Sequence, residues 1–368
     1  MDNTSAHDVL RSFLSRTGRI PRRIQGRLMR KVGLRSPDCV CERGPLADPT
    51  LAAQADIVVR VYDNWKQYVR RDMANASPNG DCIFDGVAFV RGPSPAADWH
   101  VILNSIDWHL DFVWFLGRPN RTVFALGEPA SPIHRPWHFG QGRGTIVLTC
   151  DHEISRYRDL PRRFERVPML VRSWSIDKSY RWLKDNTIPT EQKTKKLSWI
   201  TSSLTVMPEH KARMRFLNAL RDRVPFDLYG RGFREVYDKW DALAPYRYSL
   251  ASENHRAPLV MSEKLMDCFV AETMPIYYGS PAVTDYFPAE SMVIIDPDDP
   301  DVFRIIADVV ASDRWLKNRE AILEAKRITL DEMNAFKRLA QFIRHEHETT
   351  KPDPERWMRI KQVGLKYR

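Results

Sequence analysis

The sequence has no uninterrupted hydrophobic run of membrane-spanning length, and its first residues do not place a basic segment before an apolar one. A spanning helix needs about 18 to 20 predominantly apolar residues, and a secretory leader needs the basic-then-apolar order. We therefore expect a protein that is neither secreted nor inserted through a membrane. Internal repeats and low-complexity tracts are also missing, and a 43% hydrophobic content favours two globular domains.

Cysteine is scarce in this chain of 368 residues. The five cysteines are Cys39, Cys41, Cys82, Cys150 and Cys268. An odd, scattered set does not make a disulfide framework, and no second pair of ligands stands beside the first two to complete a zinc site. We predict free thiols and a cytoplasmic location.

Positive charge is concentrated at the two ends of the chain. Residues 1–35 carry a net charge of +7 and residues 336–368 a net charge of +5, which leaves −2 on the remaining residues of a chain with +10 overall. A near-neutral body has no basic groove for nucleic acid, so we exclude that partner. The basic arm has interspersed Leu, Ile and Met, a composition suited to peripheral contact with the anionic inner face of a membrane. A solvated tail is the alternative.

Short runs rich in Val and Ile alternate with helical patterns in both halves of the chain. Buried runs of this kind predict parallel sheets covered on both faces, hence an α/β fold with two Rossmann-like domains facing each other across a cleft. The predicted parts are a basic arm (1–35), an N-terminal acceptor-side domain (36–190), a C-terminal donor-binding domain (191–335) and a basic tail (336–368). The predicted strands cover residues 57–62, 82–90, 101–104, 122–126, 145–149, 198–204, 226–229, 248–251, 275–278 and 292–295.

The most informative segment spans residues 246–288, YRYSLASENHRAPLVMSEKLMDCFVAETMPIYYGSPAVTDYFP. A strand ends in a polar turn, and after a loop Ser262 is placed to cap a helix that opens with Glu263 and Lys264. A helix start can hold a phosphate. The charge of Lys264 opposes the helix dipole there unless an anion lies beside it. The alternative is that Ser262 is only a cap, Glu263 a favourable acid of the first turn and Lys264 a surface lysine.

This segment resembles the donor-binding region of the alpha-1,3/4-fucosyltransferases, glycosyltransferase family 10. The resemblance rests on ASEN, SEKLMDCFVAETMPIYYGSP and DYFP; it is dense over about 45 residues and looser over residues 120–300. It implies a two-domain GT-B enzyme that holds GDP-fucose in its C-terminal domain. Carried over by motif, Lys264 and Arg213 would meet the diphosphate, Glu263 the ribose and Asn254 the donor, with Ser262 at the same helix start. Lys211 and Arg215 compete with Arg213 for its role.

In the first half, FALGEPASP places Glu128 just after a predicted strand. The family has a glycine-glutamate pair after a strand, and its glutamate is the proposed base, so the resemblance implies that Glu128 is the general base of an inverting transfer. A solvated turn acid is the alternative. The acceptor would be an oligosaccharide or glycolipid, contacted by the loop at residues 131–144, in which His134, Trp137 and His138 are candidates.

The acidic run at residues 296–301, DPDDPD, is interrupted by prolines, which favours a loop and a helix start over an Asp-x-Asp motif that bridges a metal to a diphosphate. We predict no essential metal and no cofactor. The chain departs from the family at Val260, where an aromatic residue that stacks on the base is expected. This departure leaves open a GT-B transferase that uses another nucleotide sugar, or an inactive glycan-binding relative. The candidates to replace the missing aromatic ring are Tyr246, Tyr248, Tyr277 and Tyr278.

Overall fold

The computed structural model describes residues 53–63, 67–91, 97–104, 112–127, 145–150, 163–170 and 172–361. The basic arm, Glu128 and the acceptor-side loop at residues 131–144 lie outside these ranges. Within the described ranges no helix is both long and apolar enough to cross a bilayer.

The first half of the chain forms a sheet of seven strands. The strands of this half are β1 (Ile57–Asp63), β2 (Ile83–Phe84), β3 (Val87–Arg91), β4 (Trp99–Leu103), β5 (Phe112–Gly117), β6 (Thr122–Leu126), β7 (Ile146–Thr149) and β8 (Arg163–Arg166), with helix α1 (Gln67–Ala76) after β1. The order in the sheet is β2-β3-β1-β4-β6-β7-β8, and all neighbours are parallel except β2 with β3. Every residue of β1, β4, β6 and β7 is buried, as expected where both faces of a parallel sheet are covered.

The prediction of one strand over residues 82–90 was wrong. The segment folds into the two-residue hairpin of β2 and β3, in which Asp85 and Gly86 have φ angles of 47° and 75°. An Asp-Gly pair with both φ angles positive makes a tight turn whose twist matches that of the flanking strands.

The second half forms a five-stranded sheet that is parallel throughout. Its elements, after helix α2 (Tyr180–Asp185) in the connecting region, are β9 (Lys195–Ile200), α3 (Pro208–Arg221), β10 (Asp227–Tyr229), β11 (Tyr246–Ser252), α4 (Glu263–Val270), β12 (Met274–Tyr278), β13 (Val293–Ile294) and α5 (Val302–Ala311). The two sheets, parallel except where β2 pairs with β3, confirm the predicted α/β class. The strand order β10-β9-β11-β12-β13 changes direction between β9 and β11, and ligands of such sheets bind at the carboxyl ends of the strands on either side of that point.

The last part of the chain returns to the first sheet. Helices α6 (Arg314–Lys317) and α7 (Arg319–Asp331) precede α8 (Ala335–Thr349) and β14 (Arg356–Lys361). On α8, the Phe336 ring lies 6.0 Å from Phe84 and 5.8 Å from Phe89, and β14 pairs antiparallel with β5. The prediction that residues 336–368 form a basic tail rested on charge alone. In the structure, residues 335–361 are part of the folded body.

Candidate functional site

Arg213 lies at the switch point between β9 and β11, which it reaches from helix α3. Its Nη1 donates to Asn254 Oδ1, which follows β11, at 2.5 Å. Its Nη2 donates to the Ser202 carbonyl oxygen and Oγ, which follow β9, at 3.1 and 3.3 Å. Lys211 and Arg215, the competing cations of the same helix, are exposed. The structure therefore brings together Arg213 and Asn254, which the sequence indicated separately.

The Arg213 guanidinium is not fully paired. Its Nε is buried and has no hydrogen-bond partner within the described residues. Partial burial also lowers the pKa of this arginine. A buried donor left without a partner costs on the order of 1 to 3 kcal/mol, and a bound anion would remove that cost by accepting the bond.

The start of helix α4 is organised around a carboxylate that the sequence reading did not single out. Glu253 Oε1 accepts from the Ser262 backbone N–H at 2.7 Å, and Oε2 accepts from the Ser262 hydroxyl at 2.6 Å. Ser262 Oγ in turn accepts from the Lys264 backbone N–H at 3.3 Å. The Lys264 Nζ atom lies 3.1 Å from Ser262 Oγ and 3.4 Å from Glu253 Oε2. Glu253 is thus the anion that makes a lysine tolerable in the first turn of this helix.

Glu253 is held at this place by the end of the neighbouring strand. It is 5% exposed, and its backbone N–H donates to the Tyr278 carbonyl oxygen at 2.8 Å. A Cβ atom at Gly279 would lie 2.6 Å from Glu253 Cγ, so glycine is required for this close approach. The signal that could have identified Glu253 is its position directly after β11. The Ser262 hydroxyl, predicted at the donor site, is buried and has three partners within the protein, so we propose that it orients Lys264.

Glu263 faces two lysines. Its Oε1 lies 3.7 Å from both Lys264 Nζ and Lys239 Nζ, and Lys239 also donates to Asp267 Oδ2 at 2.7 Å. Burial alone would raise the pKa of Glu263, but the positive charges of Lys264, Lys239 and Arg172 outweigh it and hold the pKa at about 2. Glu263 is therefore ionised throughout the physiological range and can accept hydrogen bonds from ligand hydroxyl groups.

The first sheet presents the backbone that leads to Glu128, although Glu128 itself lies outside the described residues. Gly127 directly follows β6, and its N–H donates to Asn104 Oδ1 at 2.7 Å. Asn104 follows β4, is 8% exposed and has a φ angle of 59°. Gly127, the residue before Glu128, is thus anchored at the carboxyl edge of the first sheet. His134 and Asp151, two other side chains of the first half that could take a proton from an acceptor hydroxyl, also lie outside the described residues.

The carboxyl edges of the two sheets meet at the loop before α4. Val260 is 3% exposed and packs in an apolar cluster with Cys150, which follows β7, and with Met169, which follows β8. The Met169 N–H donates to the Leu259 carbonyl oxygen at 3.3 Å. Val260 therefore joins the two halves of the chain instead of presenting its side chain to a ligand.

Three of the four tyrosines proposed to replace the missing aromatic ring cannot do so. Tyr246, Tyr248 and Tyr277 are fully buried. Their hydroxyl groups are bonded to Asp227 Oδ2, the Ser312 carbonyl oxygen and the Ser280 N–H, respectively. Tyr278 at the end of β12 is only partly buried, and the Arg256 guanidinium lies 5.9 Å from its ring centre. Among these four candidates, only Tyr278 is available for stacking.

Comparison with known proteins matches the part of the chain that carries these residues to a known family. The family described as glycosyltransferase family 10 (fucosyltransferase) C-term matches residues 190–308, which include Arg213, Asn254, Glu263 and Lys264. The alpha-(1,3)-fucosyltransferase FucT of Helicobacter pylori is 36% identical over 198 residues, which are 47% of this chain and 40% of that protein. A putative fucosyltransferase-like protein of Arabidopsis thaliana is 26% identical over 163 residues, 41% of this chain and 32% of that protein. The chain thus spans two fifths or less of the length of these curated relatives.

Solved structures give a weaker likeness of the same kind. A crystal structure of an alpha1,3-fucosyltransferase is 18% identical, with a TM-score of 0.45 over 82% of this chain and 92% of that one. The corresponding structure with GDP-fucose has a TM-score of 0.43 over 75% and 90%, also at 18% identity. Residues 190–308 are therefore similar to the C-terminal domain of glycosyltransferase family 10, the fucosyltransferase family.

Proposed function

We propose that this protein is an inverting glycosyltransferase that transfers fucose from GDP-fucose to a hydroxyl group of a glycan acceptor. The observation that carries the proposal is the Arg213 guanidinium at the switch point of the second sheet, with its Nε buried and without a partner in the described residues. The family match and the name of the Helicobacter pylori relative support fucose as the transferred sugar.

The proposed donor side of the site carries positive charges that can offset the negative charges of a nucleotide diphosphate. Arg213 and Lys264 would bind the two phosphates, and the first turn of α4 adds the positive end of a helix dipole. The ionised Glu263 carboxylate would accept hydrogen bonds from the ribose hydroxyl groups. Asn254, held by Arg213, would contact the donor from the end of β11.

The proposed reaction is a single displacement at the anomeric carbon. The acceptor oxygen forms the new bond as the bond from the anomeric carbon to the diphosphate oxygen breaks, and the diphosphate leaves with the electron pair. Glu128 takes the proton of the acceptor hydroxyl, and Arg213 and Lys264 stabilise the negative charge that grows on the leaving group. Attack from the face opposite the leaving group inverts the configuration at that carbon.

The first test is a donor screen by thermal unfolding. GDP-fucose should raise the melting temperature because a ligand that binds only the folded state adds about 2.7 kcal/mol of stability at about 100 times its Kd. Arg213→Ala should abolish most of the rise. Arg215→Ala, which removes an exposed arginine from the same helix, is the matched control and should keep it.

The same screen addresses the second candidate, a transferase for another nucleotide sugar. The observation that favours it is the burial of Val260 in the apolar cluster between the sheets, which removes the expected stacking position. Stabilisation by UDP or CMP sugars without any effect of guanine nucleotides would replace fucose by another sugar. Binding of GDP-fucose without turnover on any glycan acceptor would favour an inactive relative.

A chelator experiment tests the proposal that no metal takes part. Lys264 and Arg213 supply positive charge at the place where a metal ion would otherwise bridge the diphosphate. Within the described residues, no three His, Cys, Asp or Glu side chains are grouped so that they could hold a metal ion. We expect EDTA to leave turnover essentially unchanged. Loss of activity that manganese restores would contradict this assignment of the diphosphate site.

A further inference from the structure

His210 lies one helical turn before Arg213 on the same side of helix α3. It is the third residue of the helix, and its Nδ1 accepts a hydrogen bond from the Met207 backbone N–H at 3.4 Å. Residues three apart on a helix are neighbours on its surface. With Nδ1 acting as the acceptor, the ring hydrogen of neutral His210 is on Nε2, which is free to donate to a ligand.

Three basic side chains act on one another at this edge of the second sheet. Burial lowers the pKa of His210, and the positive charges of Arg213 and Lys264 lower it further, opposed by Glu209. Glu253 offsets part of the charge of Lys264. Within the described part of the chain, neither Arg213 nor His210 forms an ion pair with a carboxylate. Positive charge therefore accumulates from two helices at one place, which favours the binding of an anion between them.

We propose that His210 is a third cationic ligand of the nucleotide-sugar diphosphate, which it contacts through Nε2–H beside Arg213 and Lys264. This inference rests on the proposed function, because it assumes that a diphosphate occupies the site. When the diphosphate binds, His210 takes up a proton at Nδ1 and gives up the 3.4 Å bond from the Met207 N–H there; the imidazolium then stabilises the charge that grows on the leaving group during transfer.

The consequence for pH follows from the charges around the ring. The free protein disfavours the protonated form, since Arg213 and Lys264 repel it, whereas the bound diphosphate favours that form and raises the pKa of His210. Binding is then linked to proton uptake, and affinity rises as the pH falls through the pKa of the bound state. GDP-fucose is a suitable probe because both its phosphates are esterified and have no proton to exchange near neutral pH.

A matched pair of variants isolates the charge of His210. His210→Gln removes the titrating ring but keeps an acceptor at the third helical position, where glutamine can satisfy the same backbone N–H. His345→Gln is the control, because it removes an exposed histidine from α8, far from His210 in the sequence. Thermal unfolding of the variants without ligand verifies that the helix start is preserved.

Calorimetric titration with GDP-fucose, in buffers of different ionisation enthalpy, measures both affinity and proton uptake. We expect the parent and His345→Gln to gain affinity about three- to tenfold between about pH 8 and pH 6, with proton uptake at neutral pH. His210→Gln should lose the gain and the uptake. If this variant keeps both, the inference is overturned and another group is responsible. If GDP-fucose does not bind the parent protein, the proposed function itself fails.

Discussion

Replacement of Glu128 by glutamine should lower kcat by about 100- to 10,000-fold, the usual contribution of a general base. Glutamine has nearly the same shape as glutamate but cannot take the proton of the acceptor hydroxyl. Affinity for GDP-fucose should stay within about a few-fold of the parent value, because the proposed donor contacts come from the second sheet. Single-turnover kinetics with a saturating acceptor, together with donor titration, measure the two quantities separately.

The backbone around Gly127 gives this expectation its structural basis. The Asn104 side chain accepts from the Gly127 N–H at the carboxyl edge of the first sheet, directly before residue 128 in the chain. Asp151→Asn, which alters the acidic residue two positions after β7 in the sequence, should leave kcat close to the parent value. Near-normal turnover of Glu128→Gln, or a large loss in Asp151→Asn, would move the role of base away from Glu128.

Replacement of Glu272 by alanine should lower the free energy of unfolding by about 3 to 5 kcal/mol, as expected when one partner of a buried ion pair is removed. Glu272 is 1% exposed. Its carboxylate accepts from Lys326 Nζ at 2.8 Å, Arg319 Nη2 at 3.1 Å and the Ile188 N–H at 3.0 Å. Without it, the buried Lys326 ammonium keeps its bond to the Asn186 carbonyl oxygen but loses its counter-ion.

This carboxylate also joins three parts of the chain. Glu272 follows helix α4 with a φ angle of 51°, a conformation usually left to glycine, and it ties that helix end to α7 and to residues 186–188. Alanine has a Cβ as glutamate does, so the substitution leaves the backbone strain largely unchanged and reports on the carboxylate.

Urea unfolding of Glu272→Ala measures the effect against an exposed control. Glu324→Ala breaks the surface pair with Arg327, at 2.7 Å, on the same helix α7. Such surface pairs contribute no more than about 1 kcal/mol. Equal, small losses in the two variants would show that the Glu272 network does not hold the helices together.

Local signals were sufficient to locate most elements of the second sheet. The cap at Ser262 and the alternation of buried runs with helical patterns predicted α4, β10, β11 and β12 to within a few residues. The predicted strand at residues 198–204 begins at Lys195 and ends at Ile200. The predicted end of this strand was too late because the polar residues after Ile200 leave the sheet. One of them, Ser202, accepts a hydrogen bond from Arg213 through its carbonyl oxygen.

The sequence by itself determined the α/β class, the family resemblance and the candidate residues Arg213, Asn254, Ser262, Glu263 and Lys264, because caps, strand runs and motifs are encoded by neighbours in the chain. Only the tertiary structure decided that Arg213, and not Arg215, turns inward to Asn254, and that Glu253 is the anion beside Lys264. These choices depend on partners that are distant in sequence. A pattern of residues identifies a charge, but the packing of separate strands and helices decides what that charge faces.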